Sequence, residues 1–165
     1  MQQALRLNDR DVLDVSHAPP DYDCPFCRLY RAGDSDMTRA VDIVVRDEAT
    51  MVFVSLHHWP PSPGHVLVVP AVHYETLYSM PDDVGARIFA AVRDAAVALK
   101  LALGCDGIST RQHNEPAGNQ EAWHYHHHVF PRFEGDGLYG ARKVLLAADR
   151  RAELASRVRE CWPGR

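Results

Sequence analysis

The chain has 165 residues, 46% of them hydrophobic and 24% charged, and its formal net charge is -4 with neutral histidines. These values are typical of one globular domain with its own hydrophobic core, and the negative charge argues against broad binding to nucleic acids. No apolar run reaches the length of a membrane-spanning helix, and the charged N-terminal residues are unlike a signal peptide. We therefore expect a cytoplasmic protein without a membrane partner.

The first half of the chain alternates turn-forming residues with short β-rich runs. Residues 1–21 predict a polar extension with one short helix at 9–15. Cys24 and Cys27 form a knuckle that leads into a short helix, which Gly33 ends. Three segments follow: a β-hairpin from residues 41–46 and 51–56, an irregular proline-rich segment at 57–64 and a third strand at 65–70.

After residue 70 the hydrophobic period becomes helical. A short helix is expected at 73–78, and Ser79 is expected to cap a long helix that runs to about residue 103, before Gly104. The remaining elements are a strand at 107–112, a polar loop at 113–120, a histidine-rich strand that stops at Pro131, a glycine-rich segment at 134–146 and a helix at 147–161. Strands joined by short turns around one long helix favour an α+β fold with a mainly antiparallel sheet.

Four of the ten histidines lie within residues 124–128, interleaved with residues that favour strands. Side chains alternate along a strand, so His124, His126 and His128 share one face and His127 lies on the other. Imidazoles buried without partners are costly. The row therefore predicts a site where a metal or a phosphate supplies those partners, the alternative being a partly solvated histidine-rich strand.

Cys24 and Cys27 have the spacing of a zinc knuckle, which needs two more ligands to form a closed tetrahedral site. Spacing does not choose among the candidates, which are His17, His57, His58, His65, His73, His113 and the residue 124–128 cluster. A redox pair or two ordinary cysteines remain as alternatives. The three-histidine row itself is a poor site for one ion, because its outer members lie about 13 Å apart on a straight strand.

The middle histidine of the row is the natural nucleophile if the row is not a metal site. A neutral imidazole can attack an electrophilic phosphorus, and the transition state needs donors aimed at the phosphate oxygens. The preceding loop supplies several. The candidate donors are Asn114, Gln120, His128 and the backbone amides of Gly118 and Asn119.

The residue 124–132 run, HYHHHVFPR, resembles the HxHxHxx signature of the histidine-triad (HIT) superfamily. Residues 24–27 resemble the CxFC motif of its zinc-containing branch. Residues 63–70, PGHVLVVP, resemble its PGHxLVxP segment, and the loop from Asn114 to Gln120 resembles its N…AGQ approach to the triad. The similarity covers about residues 22–133.

The resemblance implies a five-stranded antiparallel sheet with one long helix, and a homodimer. It also implies hydrolase or nucleotidyltransferase chemistry on the α-phosphate of a purine nucleotide conjugate such as an AMP conjugate. His126 would be the nucleophile, and His128, Gln120 and Asn114 would contact phosphate. A structural Zn²⁺ would be held by the ligand set of Cys24, Cys27, His73 and His124.

The chain departs from the family pattern at three positions. His127 replaces an apolar spacer, and we expect it to pack or hydrogen-bond on the opposite face. His57 stands where an Asp or Asn commonly binds the ribose, so it is a weak candidate for nucleoside binding. The loop is one residue longer than AGQ, which predicts a different phosphate-donor geometry.

These features divide the chain into an N-terminal extension at 1–21, a HIT domain at 22–133, and a loop and helix at 134–165 that pack on the same domain. They leave three hypotheses: a nucleotide hydrolase or transferase, a regulatory module that binds nucleotide without turnover, and a metalloenzyme with its ion on the triad. The leaving group, the final acceptor and the preferred base stay open.

Overall fold

The computed structural model describes residues 16–35 and 37–164, so the short helix expected at 9–15 lies outside the described residues. Within them the chain forms an α+β fold with three α-helices and seven strands. In chain order these are α1 (Pro25–Ala32), β1 (Ile43–Arg46), β2 (Thr50–Val54), β3 (His57–His58), β4 (Val66–Pro70), α2 (Asp82–Leu103), β5 (Gly107–Gln112), β6 (His127–Arg132), β7 (Val144–Leu145) and α3 (Ala148–Glu160).

Five of these strands form one antiparallel sheet in the order β1-β2-β4-β6-β5. The expected five-stranded antiparallel sheet and α+β class are therefore confirmed. The histidine-bearing strand β6 lies between β4 and β5, with His128 opposite Leu67 on one side and Arg111 on the other. Since directly paired residues point to the same face, these three side chains share one face of the sheet.

The sheet is buried on both faces, but by different elements. Helix α2 buries a stripe that includes Ile88, Ala95 and Leu99 against one face. Helix α1 buries Leu29 against the other face, with Phe53. The histidine row lies on the α1 face, and the end of α1 reaches a left-handed Gly33 (φ 71°) as expected.

The C-terminal segment crosses the domain and packs on it. Strand β7 pairs with β3, and helix α3 buries Ala155 and Val158 in the same core as α2. The buried Arg151 side chain of α3 forms an ion pair with Asp42 at 3.3 Å and donates to the Leu146 carbonyl. None of the helices in residues 16–35 and 37–164 has the length and apolarity to cross a bilayer.

The helix expected at 73–78 does not form. Backbone groups in this segment make tertiary hydrogen bonds in place of helical ones. The Tyr74 carbonyl accepts from the Tyr125 amide, and the Leu77 amide donates to the Asn114 side chain. The expected Ser79 cap is also wrong, because Pro81 occupies the N-cap position of α2 and no side chain caps that end.

The histidine strand begins at His127 and extends to Arg132, one residue beyond Pro131. His124 and His126 lie before the strand because the backbone around them does not form ladder hydrogen bonds with β4. The Pro70 carbonyl contacts the His124 ring, and the Tyr125 amide bonds to Tyr74, so the β4–β6 ladder ends at His127.

Candidate functional site

Four potential metal ligands converge where α1 begins. The ligand atoms of Cys24, Cys27, His73 and His124 all lie within 4.8 Å of one another. The His124 Nδ1 atom lies 3.3 Å from the Cys24 sulfur and 3.6 Å from the Cys27 sulfur, and the Cys27 sulfur lies 3.4 Å from His73 Nδ1. Folding thus brings residues about a hundred positions apart in sequence into one cluster.

The cluster fits a tetrahedral zinc ion. Ideal zinc–sulfur and zinc–nitrogen bonds place sulfur and nitrogen about 3.5 Å apart, close to the three distances above. Burial raises the pKa of the Cys24 thiol to about 11, so ionising this thiol near neutral pH calls for a nearby cation. The His124 Nε2–H group donates to the Pro70 carbonyl at 3.1 Å, which leaves Nδ1 as the free ligand atom.

The His126 ring is held in one tautomer by the same residue. Its Nδ1–H group donates to the His124 carbonyl at 2.8 Å, so in the neutral ring Nε2 carries the lone pair. Burial lowers the pKa of His126, which keeps the ring neutral near pH 7. The arrangement can present Nε2 as a nucleophile or a base.

His128 lies beside His126, with ring centroids 4.9 Å apart, and is supported from behind by His65. The His65 Nδ1–H group donates to the His57 carbonyl, so its Nε2 accepts a hydrogen bond from His128 Nδ1 at 2.8 Å. Neutral His128 therefore has a bare Nε2, and it can donate from that atom only when it is protonated. Burial, followed by the nearby His65, lowers the pKa of His128 strongly.

His126 and His128 open into a cleft of about 330 Å³, which we call the triad cleft. Its apolar wall is formed by Phe26, Phe53, Trp59 and Leu67. Its titratable side chains are His57, His65, His126, His128, Glu121 and Lys143. A concave apolar site with a few convergent polar groups suits a small organic ligand with a charged end.

Two expected phosphate contacts lie elsewhere. The Gln120 side chain is buried and makes three internal hydrogen bonds: it donates to the Glu75 and Ala122 carbonyls and accepts from the Glu115 amide. Asn114 bonds to Gln112 and to the Leu77 amide. Neither residue lines the triad cleft. The extra loop residue, Asn119, takes a left-handed φ of 67° at the end of a short 3-10 turn.

His57 and His127 lie on different sides of the sheet. His57 lines the triad cleft from β3. His127 is half-buried away from it, and its Nδ1 atom lies 3.2 Å from the Tyr125 hydroxyl. The structure therefore places His127 on the face opposite His126 and His128, as expected from the sequence.

Sequence reasoning did not identify Glu121 and Lys143 as cleft residues. Their side chains form an ion pair at 2.6 Å at the cleft, beside the histidines. Lys143 lies outside the recognised motifs, and no sequence spacing relates it to the triad. From the sequence, His65 is a zinc-ligand candidate and part of the PGH motif, and its hydrogen bond to His128 appears only in the folded chain.

Comparisons with known proteins agree on one family. The HIT domain model matches residues 39–135. An uncharacterised HIT-like protein of Methanocaldococcus jannaschii is 35% identical over 114 residues, covering 69% of this chain and 82% of its own length. An adenylylsulfatase of Arabidopsis thaliana is 33% identical over 141 residues (83% and 68%), and an AP-4-A phosphorylase of Mycobacterium tuberculosis is 31% identical over 139 residues (80% and 68%).

Solved structures share the fold. A Hit-like protein from Bartonella henselae superposes with a TM-score of 0.73 at 27% identity, covering 86% of this chain and 97% of that one. A Zn-bound histidine triad family protein from Mycobacterium smegmatis has a TM-score of 0.69 at 28% identity, with coverage of 84% and 92%.

Proposed function

The chain belongs to the HIT domain family, and we propose that it is a nucleotide hydrolase or nucleotidyltransferase that uses His126 Nε2 as its nucleophile. The observation that carries the proposal is the His126–His124 hydrogen bond, which directs the lone pair to Nε2 at the triad cleft. The substrate would be a nucleotide conjugate, with a purine such as adenine as the base. Two relatives support this class by name, the adenylylsulfatase and the AP-4-A phosphorylase.

In the proposed first step, Nε2 of His126 forms a bond to the α-phosphorus while the bond from phosphorus to the leaving group breaks. The leaving group keeps the electron pair of the broken bond. The His124 carbonyl holds the Nδ1 proton and stabilises the positive ring that forms. Water or another acceptor then forms a bond to the phosphorus and releases its proton to solvent. The electron pair of the phosphorus–nitrogen bond returns to Nε2, which restores neutral His126.

Phosphate recognition is assigned mainly to His128. A bound phosphate supplies the negative charge that favours protonated His128, whose Nε2–H group can then donate to an oxygen. Gln120 would act on the phosphate through the loop that its three hydrogen bonds hold, and Asn114 through the same loop. The apolar wall, including Trp59 and Phe26, suits a purine ring, and His57 at the same cleft is the candidate for the ribose.

We assign a structural Zn²⁺ to Cys24, Cys27, His73 and His124, on the distances above and with the Zn-bound relative as support. The ion would supply the positive charge that ionises the thiols and would fix His124, whose carbonyl orients His126. Cys24→Ser should lose zinc by elemental analysis and lower the unfolding midpoint. Cys161→Ser, in a half-buried cysteine outside the cluster, should keep both. Retention of zinc by Cys24→Ser would refute the assignment.

A homodimer is part of the proposal. Phe89, Val97 and Leu101 are 73%, 43% and 68% exposed on one side of α2, where their spacing of eight and four residues keeps them on one face. Strand β5 lies at the edge of the five-stranded sheet. Phe89→Glu should yield monomers in light scattering, whereas Val72→Glu, at an exposed apolar residue off this helix, should not. A monomeric wild type would contradict this part.

The main test measures turnover of AMP conjugates. His126→Ala should lose at least about a thousandfold in rate, and wild type with a slow substrate should form an acid-labile nucleotidyl adduct. His127→Asn changes the adjacent histidine on the other face and should keep most of the activity. Full activity in His126→Ala would refute the mechanism.

A non-catalytic nucleotide-binding module is the second candidate, and His57 at the expected ribose position favours it. Calorimetry that shows AMP binding, with no turnover of any conjugate by wild type, would support that candidate.

We place the protein in the cytoplasm, because a reducing compartment would keep the adjacent free Cys24 and Cys27 thiols available for metal.

A further inference from the structure

A charge pair from two distant parts of the chain stands at the triad cleft. Lys143 Nζ lies 2.6 Å from both carboxylate oxygens of Glu121. Both side chains line the cleft together with His126 and His128. The Lys143 ammonium lowers the pKa of Glu121, with smaller contributions from His57 and His126, which reflects how close these groups are.

Lys143 is held in place by the C-terminal segment. Strand β7 begins at the next residue, and it pairs Val144 with His58 and Leu145 with His57. The Leu146 amide continues this pairing to the Leu56 carbonyl at 2.8 Å. Lys143 lies beyond residue 135, where the match to the family model ends, so its position depends on this chain's own C-terminal segment.

The pair can exchange partners easily. The Lys143 and Glu121 side chains are 40% and 74% exposed, and ion pairs in such positions contribute little to stability. An anion in the cleft would attract Lys143 and would be repelled by Glu121. Of these two residues, Lys143 therefore favours binding of a negatively charged ligand, and Glu121 disfavours it.

We propose that Lys143 binds the anionic leaving group of the substrate and that Glu121 restrains it, so that the pair sets leaving-group selectivity. The preferred conjugates carry an oxyacid leaving group, a phosphate chain or a sulfate, over a neutral amine. This inference rests on the proposed function of His126.

The chemistry of the transfer step gives Lys143 this selectivity. As Nε2 of His126 bonds to the α-phosphorus, the electron pair of the broken bond goes to the leaving atom. An oxyacid leaves with one more negative charge on that oxygen, which an ammonium stabilises. An amine takes a proton from water as it leaves and becomes neutral, and the hydroxide that remains can attack the phosphorus of the adduct in the second step. A nearby cation offers the neutral amine no such stabilisation.

The experiment compares kcat/KM for three AMP donors: diadenosine tetraphosphate, adenylyl sulfate and adenosine 5′-phosphoramidate. Lys143→Met should lower kcat/KM about tenfold for a donor with an anionic leaving group and less than about threefold for the phosphoramidate. Glu121→Gln should shift the anionic-to-neutral ratio in the opposite direction. Arg142→Met removes a positive charge at the adjacent exposed residue, which does not line the cleft, and should leave the ratio unchanged.

The outcomes separate this inference from the function on which it rests. A fall confined to the tetraphosphate assigns Lys143 to phosphate chains, and one confined to the sulfate assigns it to sulfate. An active wild type whose ratio is the same in Lys143→Met overturns the inference and leaves the function of His126 intact. A wild type that neither turns over any donor nor forms an adduct overturns both.

Discussion

Acid should destabilise the folded protein through His65, and the size of the effect can be worked out. The ring is buried, stacked on Phe130 at a centroid distance of 4.2 Å and hydrogen-bonded at both nitrogens. Burial lowers the pKa of His65 from 6.5 to about 3. Since the folded-state pKa is the lower one, protons bind preferentially to the unfolded chain below pH 6.5, and stability falls as the pH falls toward 3.

At about pH 5 the ring lies roughly 1.5 pH units below its unfolded pKa, which corresponds to a loss of about 2 kcal/mol relative to pH 7.5 from this group alone. Urea unfolding of wild type and His65→Phe at the two pH values, with excess zinc, measures the term. The Phe variant removes the proton-binding site but fills the same stack, so it should be less stable near pH 7.5 and lose about 2 kcal/mol less on acidification.

The substitution also removes the hydrogen-bond partner of His128 Nδ1, so the difference between the two proteins reports His65 together with its effect on His128. An equal loss of unfolding free energy in the two proteins would refute the reasoning. It would mean that His65 is protonated in the folded state near pH 5, and that the tautomer assigned to His128 is wrong.

Three further predictions concern single contacts. Arg151→Met leaves the Asp42 carboxylate buried without its cation and should lower the unfolding free energy by about 3–5 kcal/mol. Adding Asp42→Asn should recover part of that loss, and no recovery would show that the ion pair does not carry it. Gly64→Ala should lower the unfolding free energy by about 1–3 kcal/mol, because Gly64 has a φ of 107° and a Cβ would lie 2.6 Å from Leu103. The control is Gly140→Ala, whose Cβ meets no atom within 4 Å and which should leave thermal unfolding unchanged. AMP binding should take up protons increasingly as the pH falls from about 7.5 toward about 5.5, because phosphate favours protonated His128 while burial lowers its pKa. Calorimetry in buffers of different ionisation enthalpy measures the uptake, and the same uptake in His128→Asn would contradict the assignment.

Local pattern was sufficient for most of the fold. Strand β5 has the expected bounds, and α2 ends before a left-handed Gly104 as its sequence indicates. The helix predicted at 73–78 is wrong because tertiary hydrogen bonds compete with its helical propensity. The Tyr74 carbonyl and the Leu77 amide bind residues about forty or fifty positions later in the chain. Propensity does not include such partners.

The sequence by itself determined which chemical groups the site contains, because ligand and nucleophile types are properties of single residues and short motifs. Cys24, Cys27, His126 and His128 were all identifiable from spacing or resemblance. Their chemical state is another matter. The tautomers of His126 and His128 depend on the His124 carbonyl and on His65, which only the folded chain brings within hydrogen-bond distance.

Only the tertiary structure decided what surrounds the histidines. Gln120 turns inward because its amide forms hydrogen bonds with three backbone groups, and Lys143 reaches the cleft because β7 pairs with β3. Neither fact is written in a local pattern. Hydrogen bonding and strand pairing between distant segments are selected by the competition of all buried polar groups for partners, and that competition exists only once the chain is folded.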